Sequence, residues 1–126
     1  MPLVRVALRQ GKSAAYKQAI GDGIYQAMLE AFDVPKEDRF IIVSEHSESE
    51  LQFSRTYLDI ARSDDLVIIQ ITANNTRNVE QKKAFFARIA ELLSQNPGLR
   101  KQDIFINLID VAKENWSFGN GIAQYA

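Results

Sequence analysis

The sequence predicts an α/β fold of the α+β type, in which two consecutive βαβ repeats form one four-stranded mixed sheet with both helices on one face. Apolar strand-like runs and amphipathic helical segments follow each other in the order strand–helix–strand, twice. The second half also echoes the first, because Lys36–Ile41 resembles Lys101–Ile106, 65 positions later. The expected helix starts, Ser13 and Asn78, have the same separation. At 126 residues the chain has the length of one domain, residues 1–126, with repeats at about 1–63 and 64–126.

The first repeat opens with a strand and a helix. Leu3–Arg9 places its apolar residues at every second position, which is typical of a strand with one buried face. Ser13 is the expected N-cap of an amphipathic helix, in which apolar residues recur at helical spacing as far as Ala31. Pro35 ends this helical region.

The second strand of the first repeat is predicted at the short apolar run Phe40–Val43. The polar segment Ser44–Glu50 is expected to be a loop, with His46 as a solvated loop residue. Because His46 is the only histidine, neither a histidine metal cluster nor a Ser-His-Asp triad is expected.

The second repeat repeats the pattern with stronger signals. Leu66–Ile71 is apolar enough to predict a strand buried on both faces, and Ala73–Arg77 is expected to be a polar loop. Asn78 then caps a helix, with Gln81 completing a capping box. An Asn-Pro-Gly stop ends this helix, Ile104–Val111 is the last strand, and a glycine-punctuated aromatic tail follows.

Composition limits the function classes. The net charge of −1 provides no basic surface, so nucleic acid is not an expected partner. The absence of cysteine excludes disulfides and thiol nucleophiles. No apolar stretch has the length of a membrane span or a leader, which predicts a cytoplasmic protein without a membrane partner. The helix-free face of the predicted sheet is expected to be apolar and exposed, so that oligomerisation would cover it.

The start of the chain carries a possible catalytic group. Pro2 follows Met1, and its small side chain allows the initiator methionine to be removed. Pro2 would then have a free secondary amine that titrates not far above neutral pH. Burial in an apolar pocket would lower its proton affinity and make it a general base at physiological pH. The alternative is a Met-Pro start with no catalytic role.

Four short motifs, in this order and spacing, together resemble the tautomerase superfamily, and within it the branch of malonate semialdehyde decarboxylase. They are Met1-Pro2-Leu3, Val34–Phe40, Arg77 followed by Glu80-Gln81-Lys82, and Trp116–Gly119. The resemblance covers nearly the whole chain. It implies a homotrimer, neither a metal nor an organic cofactor, and substrates that are small anionic 2-oxo acids or their enols.

Residue by residue, the resemblance implies that Pro2 is the catalytic amine and that Asp38 is the acid beside it. Arg77 matches one of two arginines that grip the substrate carboxylate. The position of the other holds Asn75, which donates hydrogen bonds but carries no charge. Asp103 has the place of Asp38 in the second repeat, so that a purely structural role of Asp38 in the turn is an open alternative.

Three further residues are candidates for substrate contact. Trp116 and Phe118 match the aromatic wall of the family's active site, although such residues also serve as core or interface aromatics. Arg39 is a candidate for a carboxylate contact from a neighbouring subunit. Physically, the helix N-terminus after Arg77 would add positive potential for an anion, with a solvated loop arginine as the alternative.

The main hypothesis is therefore a cofactor-independent isomerase, a keto–enol tautomerase in which Pro2 is general base and then acid. One rival is a lyase that decarboxylates or hydrates a three-carbon acid, with a mainly cationic proline. A rival from another class is a non-catalytic oligomeric binding module that retains the fold.

Overall fold

The computed structural model describes residues 2–126, so the prediction that Met1 is removed concerns a residue outside this range. The elements are β1 (Leu3–Arg9), α1 (Ala14–Ala31), β2 (Ile41–His46), β3 (Val67–Asn74), α2 (Val79–Gln95) and β4 (Ile104–Val111). Single 3₁₀ turns lie at Tyr57–Asp59, Lys101–Asp103 and Lys113–Asn115. Within the described residues, no helix combines the length and apolar character needed to span a bilayer.

The four strands form one mixed sheet in the order β2-β1-β3-β4. The pairs β1–β2 and β3–β4 are parallel, and the central pair β1–β3 is antiparallel. Each parallel pair is joined by a helix, so that the sheet consists of two βαβ units related by an approximate two-fold axis between the central strands. Helices α1 and α2 pack against each other on the same face. The predicted tandem βαβ fold is confirmed.

This topology brings four chain segments to one edge of the sheet. The start of β1 lies beside the start of β2, because Val4 pairs with Ile41. The antiparallel pairing places Leu3 opposite Thr72, near the end of β3. The end of β4 is at the same edge, where Val111 pairs with the last residue of β3. Residues just before β1 and β2 and just after β3 and β4 are therefore neighbours.

The core lies between the sheet and the two helices. The alternate residues of the central strands point into it, as predicted for β1, and the largest buried side chains are Phe32 and Phe85. Their rings stack with centroids 4.1 Å apart, which joins the end of α1 to α2. Both predicted N-caps are confirmed: the Ser13 side chain accepts from the Tyr16 amide, and Asn78 forms a complete capping box with Gln81.

Two strands are longer than predicted. β2 continues to His46, which pairs with Arg9 and is half-buried, so the prediction of a solvated loop histidine was wrong. β3 continues to Asn74, inside the segment that the sequence assigned to a loop. In both cases a neighbouring strand offers backbone partners, and ladder hydrogen bonds outweigh the weak strand preference of polar residues.

The prediction that β3 is buried on both faces was also wrong, since Gln70 is exposed and hydrogen-bonds Asn107 on the helix-free face. This face is not uniformly apolar. Exposed Ile42 and Phe105, at 43% and 47% of their surface, alternate with polar side chains. The face is therefore amphipathic rather than a continuous apolar surface.

Candidate active site

Pro2 is buried at the start of β1 and lines a small apolar cavity of about 220 Å³. The other lining residues are Leu3, Phe40, Trp116, Ser117 and Phe118. They come from the starts of β1 and β2 and from the segment after β4, which are the segments that meet at this edge of the sheet. Nearly the whole lining is aliphatic or aromatic, so a polar group placed here has few polar side chains around it.

A second cavity, of about 470 Å³, lies at the same edge and is polar. Its lining residues are Asp33, Pro35, Asn74, Thr76, Arg77, Lys113 and Tyr125. Arg77 is held by the core, since its Nη2 donates to the Phe32 carbonyl at 2.6 Å and its guanidinium lies 4.5 Å from the centre of the Phe32 ring. This anchoring fixes the position of one positive charge beside the cavity.

Burial lowers the pKa of Arg77, while the negative charges of Asp33, Asp38 and Asp110 act in the opposite direction. A guanidinium stays protonated in proteins even so, because its reference pKa is far above neutral. The lowered pKa therefore reports that a cation is held partly out of water, where it binds an anion more strongly than a solvated arginine does.

Asp38 comes three residues after Pro35, which lines the polar cavity. It is 5% exposed and comes two residues before Phe40, which lines the Pro2 cavity. Burial raises the pKa of the Asp38 carboxyl, and the charge of Arg77 acts against this shift. The pKa of Tyr125 is raised by burial and by the charge of Asp38, which ties the chain's penultimate residue to the same group. Asp38 thus interacts electrostatically with Arg77 and with Tyr125, which both line the polar cavity.

The repeat-related carboxylate, Asp103, has a different environment. It is completely buried, and its two oxygens accept from the backbone amide and the hydroxyl of Ser63 at 2.7 and 2.6 Å. Ser63 lies just ahead of β3, so the corresponding place for Asp38 is the start of the chain just ahead of β1. The hydrogen bonds from Ser63 thus give Asp103 a structural role in holding its turn against the start of β3.

An aromatic cluster links the linings of the two cavities, since Trp116 and Phe118 line the Pro2 cavity and Tyr125 lines the polar one. The Trp116 indole donates to Oδ1 of Asn74 at 2.7 Å, which fixes the tail to the end of β3. Phe118 stacks on Trp116 with ring centres 5.4 Å apart, and the Tyr125 ring meets Phe118 edge-on at 5.1 Å. The tail folds back through Gly119, whose φ of 149° is one that glycine adopts without strain. Trp116 and Phe118 thus form a wall at the Pro2 cavity.

The structure brings five of the seven predicted site residues to one edge of the sheet: Pro2, Asp38, Arg77, Trp116 and Phe118. Asn75 is exposed beside them, and its backbone amide bonds the Val111 carbonyl, but its side chain does not line the cavity. Arg39 points the other way within its own chain, where it pairs with Asp22 at 2.5 Å and covers the Tyr25 ring. Its proposed contact with a neighbouring subunit stays a prediction.

Six residues that line the polar cavity were not predicted as site residues, among them Asn74, Lys113 and Tyr125. For Asn74 a signal existed, because the polar residue that ends a buried strand lies at the functional edge of such a sheet. Lys113 and Tyr125 have no periodic pattern around them. Their positions depend on where β4 ends and on how the tail returns.

With this geometry in place, comparison with known proteins identifies the class. A model of the family described as tautomerase enzyme matches residues 38–119, and a second model with the same description matches residues 2–58. The chain belongs to the tautomerase family of enzymes. Among its relatives are two proteins of Bacillus subtilis strain 168, the probable tautomerases YusQ and YrdN. They are 40% and 34% identical to this chain, over 98% and 99% of its length and 98% and 96% of theirs.

Two solved structures of malonate semialdehyde decarboxylases have the same fold. One, studied for decarboxylase and hydratase activities, superposes with a TM-score of 0.92 at 30% identity, covering 98% of this chain and 95% of the other. The other, from FG41 and inhibited by 3-bromopropiolate, has a TM-score of 0.91 at 35% identity, covering 98% and 93%. The resemblance to this branch of the superfamily is confirmed.

Proposed function

We propose that the protein is a cofactor-independent tautomerase that interconverts the enol and keto forms of small 2-oxo carboxylic acids. The observation that carries the proposal is the meeting of Pro2, Asp38 and Arg77 at one edge of the sheet. Pro2 lies in an apolar cavity, while Arg77 lies at an adjoining polar cavity. An enol acid needs both environments, because its carboxylate seeks a cation and its reacting carbon needs a base shielded from water.

In the proposed reaction, Arg77 binds the carboxylate through charge-assisted hydrogen bonds. The Pro2 amine, freed by removal of Met1, accepts the proton of the enol hydroxyl as the carbonyl forms. It then delivers a proton to the neighbouring carbon, so that the double bond moves and no atom is gained or lost. The apolar lining around Pro2 favours the neutral amine, which is the form able to accept a proton.

Asp38 is proposed to act on the substrate oxygen. Because burial raises the pKa of this carboxyl, the protonated form is more accessible here than at the protein surface. A protonated carboxyl donates a hydrogen bond to a carbonyl oxygen and stabilises negative charge that develops there. Trp116 and Phe118 would exclude water from the reacting carbon, and Asn75 would orient the substrate from the rim of the cavity.

The assembly proposed for this function is a cytoplasmic homotrimer. A fused 4-OT with the same fold, at 20% identity and a TM-score of 0.80, forms a symmetric trimer. The exposed Ile42 and Phe105 of the helix-free face would be covered by neighbouring subunits. Arg39 would then be available to a neighbour's cavity. Light scattering after size exclusion tests this, with three chain masses expected and one chain mass contradicting it.

The second candidate function is decarboxylation or hydration of a three-carbon semialdehyde acid. It is favoured by the high structural similarity to the two malonate semialdehyde decarboxylases. In this reaction a cationic Pro2 would polarise the substrate carbonyl instead of removing a proton. Arg77 and Asp38 would keep their roles toward the carboxylate and the oxygen.

The test is turnover of phenylpyruvate enol and of 2-hydroxymuconate, followed by ultraviolet absorbance, with wild type and Pro2→Ala. Intact-mass measurement establishes in each preparation whether Met1 has been removed. We expect kcat/KM to fall at least about 10²-fold in Pro2→Ala, the usual loss when a positioned general base is removed. Undiminished turnover in this variant, or full activity with Met1 retained, would exclude the proline mechanism. A lack of turnover of any enol by wild type would favour a binding module.

The pH profile of kcat/KM separates the two enzymatic candidates. A neutral amine acting as base loses activity as the pH falls and the amine is protonated. A cationic amine that polarises a carbonyl loses activity as the pH rises and the proton leaves. The tautomerase proposal therefore expects an acidic limb assigned to Pro2, and a basic limb alone favours the lyase.

A further inference from the structure

In the part of the chain that the structure describes, the proposed carboxylate site contains only one arginine and therefore only one positive charge from that residue type. In the superfamily pattern two arginines grip the carboxylate, and this chain has Asn75 at the second position. The Asn75 side chain does not line the polar cavity and carries no charge. A site with Arg77 alone would bind a small anion with one half-buried cation, unless another residue supplies a second charge.

Lys113 lines the same cavity as Arg77, because it follows β4 at the sheet edge where β3 also ends. β4 ends at Val111, whose carbonyl accepts from the Asn75 backbone amide at 2.9 Å. Five residues later, Trp116 is tied to Asn74 by its indole hydrogen bond. The segment that carries Lys113 is therefore held at both ends against the loop that leads to Arg77.

The Lys113 ammonium is available for a ligand. Across residues 2–126 it takes part in no ion pair and no hydrogen bond, whereas most other lysines of the described chain do. Lys82, for example, pairs with Asp110 at 2.8 Å near the same edge of the sheet. An exposed lysine without an ion pair in the described chain, lining the same cavity as a half-buried guanidinium, is suited to an anionic ligand.

We propose that Lys113 is the second carboxylate-binding residue of this site and replaces the charge that is missing at Asn75. This inference rests on the proposed function and names a further residue of the same site. An anion in the cavity would then be bound by the planar guanidinium of Arg77 and by the flexible ammonium of Lys113. Lys113 would contact the carboxylate and would not take part in the proton transfer.

The experiment measures binding rather than turnover, so that it does not depend on the reaction. Pyruvate and its uncharged amide, pyruvamide, are titrated against the full chain at pH 7 and followed by amide chemical shifts in NMR. The variants are Lys113→Gln, Lys113→Arg, Arg77→Gln and, as a matched control, Lys101→Gln. Lys101 lies at the opposite edge of the sheet, and its substitution removes the same charge.

We expect Lys113→Gln to weaken pyruvate binding about fivefold, which is the size of a partly exposed charge-assisted contact. Lys113→Arg and Lys101→Gln should bind pyruvate as wild type does. Pyruvamide binding should be unchanged in these two variants and in Lys113→Gln. Unchanged pyruvate binding in Lys113→Gln would overturn the inference, as would an equal loss in Lys101→Gln or an equal loss for pyruvamide. If Arg77→Gln alone weakens pyruvate binding, only the Lys113 inference fails. If neither variant does, the proposed carboxylate site fails as well.

Discussion

Asp38 and Asp103 occupy equivalent turns of the two repeats but have different surroundings. Replacing each of them by asparagine should therefore change stability and activity in different ways. Asp103→Asn removes the charge that strengthens two short hydrogen bonds from Ser63. Hydrogen bonds to a charged acceptor are worth about 1 kcal/mol more than neutral ones, so the loss should be about 2 kcal/mol. For a chain of this length that corresponds to a fall in Tm of about 7 °C.

Asp38→Asn should behave in the opposite way. A carboxyl whose folded-state pKa is raised destabilises the fold once it ionises, at pH values above that pKa. The amide avoids this penalty, so Asp38→Asn should be at least as stable as wild type at pH 7. The difference should disappear as the pH falls below about 3.9, where the carboxyl is protonated in the unfolded chain as well. Its kcat/KM with an enol acid should fall about 10²-fold, since an amide is a weaker hydrogen-bond donor than a carboxylic acid toward the charge that develops on the substrate oxygen.

Urea unfolding at pH 7 and under acid conditions measures the stability of both variants, and enol turnover measures their activity. Asp103→Asn serves as the control for activity, because its carboxyl lies at the other edge of the sheet. If Asp38→Asn loses as much stability as Asp103→Asn and keeps its activity, Asp38 is a turn residue and its proposed catalytic role is refuted.

Three other substitutions test how the site is supported. Asn78→Ala should lower the free energy of unfolding in urea by about 1 kcal/mol, because the capping box is lost. It should also raise KM for an enol acid, because the adjacent loop carries the cavity arginine. Phe85→Ala should cost about 4 kcal/mol, and its KM should rise more than its kcat falls, because the stacked Phe32 holds that arginine. Unchanged KM in both variants would contradict this coupling. Trp116→Phe should keep the stacking on Phe118 but lose the hydrogen bond to Asn74, which should lower the free energy of unfolding by about 1 kcal/mol. If this variant melts like wild type, the hydrogen bond does not hold the tail.

Much of the fold could be predicted because its signals are local. The Ser13 and Asn78 caps, the alternation in β1 and the repeat offset all depend on neighbouring residues, and all agree with the structure. The ends of β2 and β3 could not be predicted, because His46 and Asn74 join the sheet through backbone partners on other strands. Strand pairing is a long-range property that a polar residue's own preference does not reveal.

The sequence could predict those site residues that belong to family motifs and lie at this edge of the sheet. It could not predict the cavity residues outside these motifs. Pro2, Asp38 and Arg77 follow from motifs whose positions the topology brings together. Asn74, the last residue of β3, lines the cavity and was not predicted, because the strand runs three residues further than its apolar pattern; the role of Asn75 toward the substrate stays a prediction. Lys113 belongs to an irregular segment whose placement depends on the end of β4.

The unequal surroundings of Asp38 and Asp103 have an evolutionary consequence. In an assembly of identical short units, any change at this turn would alter every copy at once, and the chemistry and the architecture would constrain the same residue. Joining two units in one polypeptide releases that constraint. One copy of the turn anchors the scaffold, and the other can change without loss of that anchor.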